Sequence, residues 1–564
     1  MTLTRWFSRE QAVEACSQRL TDKSDQFYFT FLAFKSISVK RERGAFARLK
    51  NAGGGFPRSD IRYNFPEENR IMAKTAQTKH RKPGTGSKSA PSYSYSAARG
   101  PVLDETVFAK RRKQFLRKLP AGSMAIIVTN PERTRSNDTE FQYRPSSDVL
   151  YLSNFQEPEC ALVFFKSREG EGKFLMFVRP KDRTREIWTG IRQGPEGAKT
   201  NFGADEAHNV EDFEKVVAPL YGEVDRLYYK FRRDPHFDKM VRTMWEASQK
   251  DLLNPESIIH EMRLFKSEEE IALMRHAGKI SAAAHCEAMR LVRPGMMEYQ
   301  LQAVLEGVFK FNGALYPAYT SIVGGGKNAV ILHYVENDQE LMDGDLILID
   351  AAAEYKGYAS DITRCFPVNG KFSKAQREIY EIVLKAELAG IAMAAPGVKL
   401  QQIHDHASDV LRAGLVKLGL LPKTHLTAAG EKKALDAWQK QGATGVKPLK
   451  LHDFFMHGTS HFIGLDVHDV GTGGTRDPRG KKRALKPGMA FTIEPGIYIA
   501  PDEERVPAQY RGIGVRIEDD VVITEKGCEV LTDAVPKEVD AIEKLMADGK
   551  AHCQQVEKMF GLKA

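Results

Sequence analysis

The sequence predicts a mixed α/β protein: a large C-terminal domain of two related halves, preceded by a smaller α/β domain. Three observations carry this reading. Apolar, strand-like runs alternate with capped helical stretches from Val102 onward. A helix, Pro-Gly, helix device occurs twice, about a hundred residues apart. Several strands that read as buried end in a carboxylate or are interrupted by one.

Composition narrows the class further. The 564 residues are 42% hydrophobic and 28% charged, which excludes a chain disordered throughout and a collagen-like one. Six cysteines lie far apart with no CxxC pair, which excludes a disulfide scaffold and a zinc ribbon and fits a reducing, cytoplasmic setting. No apolar run approaches the ~18 residues of a membrane span. Of 83 basic and 74 acidic residues, 19 and 8 lie in the first hundred positions, leaving a nearly balanced 64 and 66 beyond. The net charge of +9 therefore belongs to the N-terminal extension, and neither a nucleic-acid nor a membrane partner is expected.

Taken in order, residues 1–100 read as a basic, largely disordered extension. From Lys74 to Gly100 the chain has no acidic residue and few aliphatics. Glu10, Glu14, Asp22 and Asp25 argue against an organellar transit peptide without excluding one. Residues 101–260 read as an α/β domain. It opens with a basic amphipathic helix over Thr106–Leu119 and continues with strands at Met124–Val128, Val149–Leu152, Ala161–Phe165 and Phe174–Val178. Residues 261–548 form the second domain, and 549–564 a tail. Ser267 and Glu270 make a capping box for a helix running to about Val292, stopped by Pro294-Gly295 and followed by a helix over Glu298–Phe311. Ser373 with Gln376, Pro396-Gly397 and a helix from Leu400 to about Leu418 repeat the device. Gly324-Gly325-Gly326-Lys327 reads as a tight turn before a strand bearing His333.

Chemistry concentrates in the second domain. Asp350 ends the strand Gly344–Asp350, and Asp361 lies on the return segment after Tyr358. His457 and His461 share one short motif, and Asp466-Val467-His468-Asp469 follows. Glu494 ends a strand before Pro495-Gly496, and Val515–Val522 reads as one apolar strand with Arg516 and Glu518 on one face. Singly, each has a plain explanation as a turn residue, cap or core histidine. Together they are costly to bury unless cations neutralise them. Two divalent ions would cancel four carboxylates.

The motifs Ile331-Leu332-His333-Tyr334, Ser360-Asp361, His457-Gly458-Thr459-Ser460-His461, Asp466-Val467-His468-Asp469, Thr492-Ile493-Glu494-Pro495-Gly496 and Arg511–Asp519 resemble the aminopeptidase P branch of the creatinase/methionine-aminopeptidase "pita-bread" metallohydrolases. That resemblance implies a pita-bread catalytic domain with pseudo-twofold halves behind a creatinase-type N-terminal domain. It implies five metal ligands, Asp350, Asp361, His461, Glu494 and Glu518, holding two divalent ions. Mn²⁺ is the first expectation for such an oxygen-rich set, with Zn²⁺ or Co²⁺ as alternatives. It implies removal of the N-terminal residue from peptides with proline second, by attack of a hydroxide bridging the two metals, with Glu494 passing the proton. Arg516 would orient the ligand carboxylates. His333 and His468 would donate to substrate oxygens, and His457, Tyr319 and Tyr498 would line the substrate pocket. Trp188, in Thr184–Gly190, would reach a neighbouring subunit of a homodimer or homotetramer, or is an ordinary core or surface aromatic. The departures from the family pattern are the N-terminal extension and a Lys-rich stretch at about 422–450.

Rival readings are weaker. A prolidase-type dipeptidase shares fold and metals but needs groups for the substrate's C-terminal carboxylate. A methionine aminopeptidase would make the first domain superfluous. A metal-free binding module would have lost ligands, whereas all five are present. HExxH, GxSxG and phosphate-loop templates do not match.

Overall fold

A computed structural model describes residues 100–470 and 480–549. The expected disordered extension and the C-terminal tail lie outside the described residues, apart from their junctions.

The first domain is organised by a six-stranded mixed sheet. Its strands run in the order Glu206–Asn209, Gly172–Val178, Ala161–Lys166, Ser123–Val128, Arg226–Tyr228, Asp251–Leu253. Ser123–Val128 pairs antiparallel with Ala161–Lys166, from Ser123 opposite Lys166 to Val128 opposite Ala161, and parallel with Arg226–Tyr228. All six residues of Ser123–Val128 are buried. Ala125 and Ile127 pack into one core with Leu162 and Phe164, while Met124, Ile126 and Val128 pack into another with Val163 and Phe177. Burial on both faces is why the sequence shows a continuous apolar run instead of alternation.

The helix Glu105–Lys118 lies against this sheet, capped by Asp104, whose carboxylate accepts from the Thr106 amide. Phe115 is fully buried edge-on to Phe164, with ring centroids 4.8 Å apart. Arg111 and Arg112 are buried too. They donate to the carbonyls of Tyr151 and Leu152, at the end of a helix that would otherwise leave them unpaired. That helix, Ser147–Ser153, corrects the expected strand at Val149–Leu152. A short apolar run fits either period, and here Asn154, at φ 56°, closes a helical C-terminus.

The second domain contains the duplicated device. Helices Glu268–Leu291 and Glu298–Phe311 pack together, as do Lys374–Met393 and Leu400–Lys417. Ser267/Glu270 and Ser373/Gln376 both form complete capping boxes. The turns between paired helices place Gly295 and Gly397 at φ 87° and 88°, a conformation that favours glycine. Each half also supplies a three-stranded sheet: Ile322–Gly325, Leu346–Asp350, Thr363–Pro367 in one, and Ala490–Ile493, Asp519–Ile523, Cys528–Val530 in the other. The halves meet where Thr363 bridges Glu518.

Two further expectations are corrected. Gly326–Val330 forms a short 3₁₀ helix, and His333 follows it in a turn with no strand around it. Val515–Val522 is two strands, Gly514–Arg516 and Asp519–Ile523, interrupted at Ile517-Glu518. The break itself turns Glu518 inward, where it faces Thr363. In the Lys-rich stretch, the helix Ala428–Lys440 buries no residue and is tied down by Glu431, which pairs with Arg412 at 2.5 Å.

Candidate metal centre

Five strands and loops deliver the charged side chains to one place. Asp350 ends the central strand of the first three-stranded sheet, opposite both Ile322 and Thr363. Asp361 precedes Thr363–Pro367, and its backbone N–H donates to Asp520 Oδ2 at 2.9 Å. Thr459 O accepts from the Glu494 amide at 2.8 Å, which fastens the histidine motif to the end of Ala490–Ile493. His461 Nδ1 lies 3.2 Å from the Phe462 carbonyl, leaving Nε2 to face the carboxylates.

The result is a tight cluster. Oxygen and nitrogen atoms of Asp361, His461 and Glu518 all lie within 4.8 Å of one another. His461 Nε2 is 3.4 Å from Asp361 Oδ2 and 3.6 Å from Glu494 Oε1. The Tyr319 hydroxyl lies 2.5 Å from Asp350 Oδ1 and 2.6 Å from Asp361 Oδ1. A phenol has one proton, so it satisfies only one of these carboxylates at a time.

Arg516 is the cationic support. Its Nη2 donates to Asp350 Oδ2 at 2.6 Å, its Nη1 to the Tyr498 hydroxyl at 2.9 Å and its Nε to Thr363 Oγ1 at 3.1 Å. Tyr498 continues to His457 Nε2 at 2.8 Å. The His457 ring also sits edge-on to Phe455, with centroids 4.8 Å apart, which makes a compact aromatic wall beside Glu494. His468 stacks edge-on against His461 at 4.3 Å. His333 is exposed; burial lowers the pKa of both His457 and His468, and His333 adds a smaller push in the same direction. Trp188 is not part of the cluster: it is 85% exposed on the helix Arg183–Thr189 of the first domain.

Electrostatics show what the cluster suits. Burial, and then the neighbouring carboxylates, push Glu518 well above the ordinary range. Burial raises Glu494 to about 7 against the opposing pull of His461 and Arg516. Burial alone would lower His461, but Asp361 and Glu494 raise it to about 9. The Arg516 guanidinium and a protonated His461 together do not balance four carboxylates, so without metal cations the group must hold further protons. Four carboxylates and one imidazole, converging at this spacing, fit divalent ions of the hard or borderline kind.

Sequence reasoning missed several supports. Thr363 Oγ1 donates to Glu518 Oε2 at 2.6 Å while accepting from Arg516. Arg364, fully buried, donates to the Glu518 carbonyl at 2.6 Å and to Asp519 at 2.8 Å. Asp520 holds the Asp361 backbone. The available signal was Thr363-Arg364, two residues beyond Asp361, a hydroxyl and a cation inside a run otherwise fit for burial.

Comparison with known proteins agrees with this geometry. Residues 272–525 match the model of metallopeptidase family M24, and residues 108–228 match the N-terminal domain of aminopeptidase P. An Xaa-Pro aminopeptidase of Escherichia coli (strain K12) is 45% identical over 449 residues, 78% of this chain and 97% of the relative. Xaa-Pro aminopeptidase 3 of Homo sapiens is 33% identical, over 79% and 86% of the two chains. Among solved structures, zinc-substituted Escherichia coli aminopeptidase P in complex with product superposes with a TM-score of 0.72 at 43% identity, covering 79% of this chain and 99% of that one. Fold, site and likeness together define a metal-dependent peptidase of the pita-bread type. The chain belongs to metallopeptidase family M24, in its aminopeptidase P branch.

Proposed function

We propose that the protein is an Xaa-Pro aminopeptidase, removing the N-terminal residue from peptides whose second residue is proline. The observation that carries this is the convergence of Asp361, His461 and Glu518 within one ion's reach, with Asp350 and Glu494 alongside. Two divalent ions, manganese first and zinc or cobalt next, would be held by these five residues and would supply an acidified water and an anchor for the substrate's free amine. Glu494 takes the proton from the attacking water and returns it to the leaving nitrogen, so that one water is consumed as the C–N bond breaks. Arg516 keeps Asp350 and Tyr498 in place. His468 and His333 donate to the substrate's carbonyl oxygens.

Proline selection has a physical basis in the same pocket. A prolyl nitrogen carries no N–H, so a general peptidase cannot grip that bond through an amide hydrogen. The wall of Phe455, His457 and Tyr498 offers a compact ring a matching surface instead, with Tyr319 on the carboxylate side. We further propose a homodimer or homotetramer in which the exposed Trp188 reaches a neighbouring subunit's pocket. The expected location is the cytoplasm, supported by free, buried Cys160 and Cys365. Among the described residues no helix is long and apolar enough to cross a membrane.

The test is a substrate panel after metal removal by chelation. Activity should return best with Mn²⁺ on Xaa-Pro-Xaa peptides and fail when the second residue is alanine. Cleavage confined to Xaa-Pro dipeptides would replace this reading with a prolidase.

A further inference from the structure

The loop Leu465–Asp469 carries His468, and it is also where the first domain meets the second. Arg263, only 3% exposed, reaches three carboxylates at once. Its Nη1 donates to Asp148 Oδ1 of the first domain at 2.8 Å. Its Nη2 donates to Asp466 Oδ2 at 2.7 Å and to Asp469 Oδ1 at 2.5 Å, on either side of His468. Lys266 Nζ holds the other oxygen of Asp469 at 3.0 Å, and the Asp469 amide donates to the Phe462 carbonyl at 2.8 Å. From the first domain, Ser147 Oγ donates to Asp466 Oδ1 at 2.6 Å and Arg144 Nη2 to the Leu465 carbonyl at 2.5 Å.

An ion network centred on a buried arginine, lysine and aspartate is a poor device for stability, because desolvation offsets most of its attraction. What it does well is fix geometry, since a guanidinium fork donates to carboxylates only in set directions. Here the fixed object is the backbone on both sides of His468, whose ring rests against His461 at 4.3 Å.

We propose that Arg263 is a positioning residue for His468, and that the first domain shares in this through Asp148 and Ser147. On this view the first domain is part of the catalytic apparatus: its packing against Arg263 decides where His468 stands. The inference rests on the proposed peptidase function for its kinetic readout, though the clamp itself can be measured without turnover.

The test is a double-mutant cycle on the full chain with an Xaa-Pro-Xaa peptide. Lysine keeps the charge at position 263 but cannot fork. Arg263→Lys should lower kcat about tenfold with KM little changed, as a misplacement on the ångström scale does. In a His468→Ala background the same substitution should cause no further loss. Ser147→Ala, which leaves the charges paired, should lower kcat about threefold by removing the bond to Asp466 and the one received from Arg144. Amide exchange at Asp469 should quicken in both variants. An equal loss in both backgrounds, or unchanged kcat and exchange in both variants, overturns the proposal. If the parent protein cleaves no Xaa-Pro peptide, the functional reading fails, and exchange at Asp469 alone then decides the clamp.

Discussion

Replacing Thr363 by valine probes the centre without touching a proposed ligand. Valine matches threonine in shape but neither donates nor accepts. The change removes the 2.6 Å hydrogen bond to Glu518 Oε2 and the 3.1 Å bond received from Arg516 Nε. Thr363 is fully buried, and Glu518 and Arg516 are nearly so, so water cannot substitute. A hydrogen bond to a charged group contributes about 1.5–3 kcal/mol, and losing two partners of one hydroxyl should cost about 2–4 kcal/mol. Urea unfolding of the chelated protein measures this directly. Manganese titration by calorimetry should show affinity reduced about 10- to 100-fold, as expected when a ligand loses its orienting partner. A variant with the wild-type unfolding midpoint and wild-type affinity would refute the claim that Thr363 orients Glu518.

Other consequences follow from the same structure. Glu494→Ala should abolish turnover while the circular dichroism spectrum and unfolding cooperativity are kept; retained activity would remove Glu494 from the proton-transfer role. His285, fully buried with Nε2 2.8 Å from the Ala351 carbonyl, has its pKa lowered by burial to about 4. The unfolded chain binds that proton near the ordinary pH of about 6.5, so stability should be complete above this and fall as pH drops toward 4, by about 3 kcal/mol in all. In His285→Asn that part of the pH slope should vanish, and an unchanged slope would contradict it. A Cβ at Gly514 would overlap the Ala329 carbonyl, so Gly514→Ala should cost about 1–3 kcal/mol in thermal unfolding and lower kcat by displacing Arg516; a neutral result would show the strand can shift freely.

The legible and illegible parts of the chain differ for physical reasons. Ser267/Glu270 and Ser373/Gln376 are local signals, because a capping box uses residues three apart, and both helices start where the boxes place them. Acids such as Asp350 and Glu494 were legible as candidates because carboxylates at the ends of apolar strands are anomalous against their surroundings, while the proposed ligand set came from the family resemblance. Val149–Leu152 misled because four apolar residues do not define a period, and the αL residue Asn154 that settles the helix was not weighed. The break at Ile517-Glu518 was hidden because its cause is Thr363, distant in sequence, bridging Glu518. Arg263 was passed over for the same reason: its three carboxylates come from Asp148, Asp466 and Asp469, and no spacing within one segment announces such a meeting.

Anomalous diffraction from a crystal grown with manganese tests the two-metal centre most directly. Two anomalous peaks should appear among Asp350, Asp361, His461, Glu494 and Glu518, with Tyr319 no longer sharing one proton between two carboxylates. A crystal saturated with manganese that shows no peak there, or places its ions on other side chains, would contradict it.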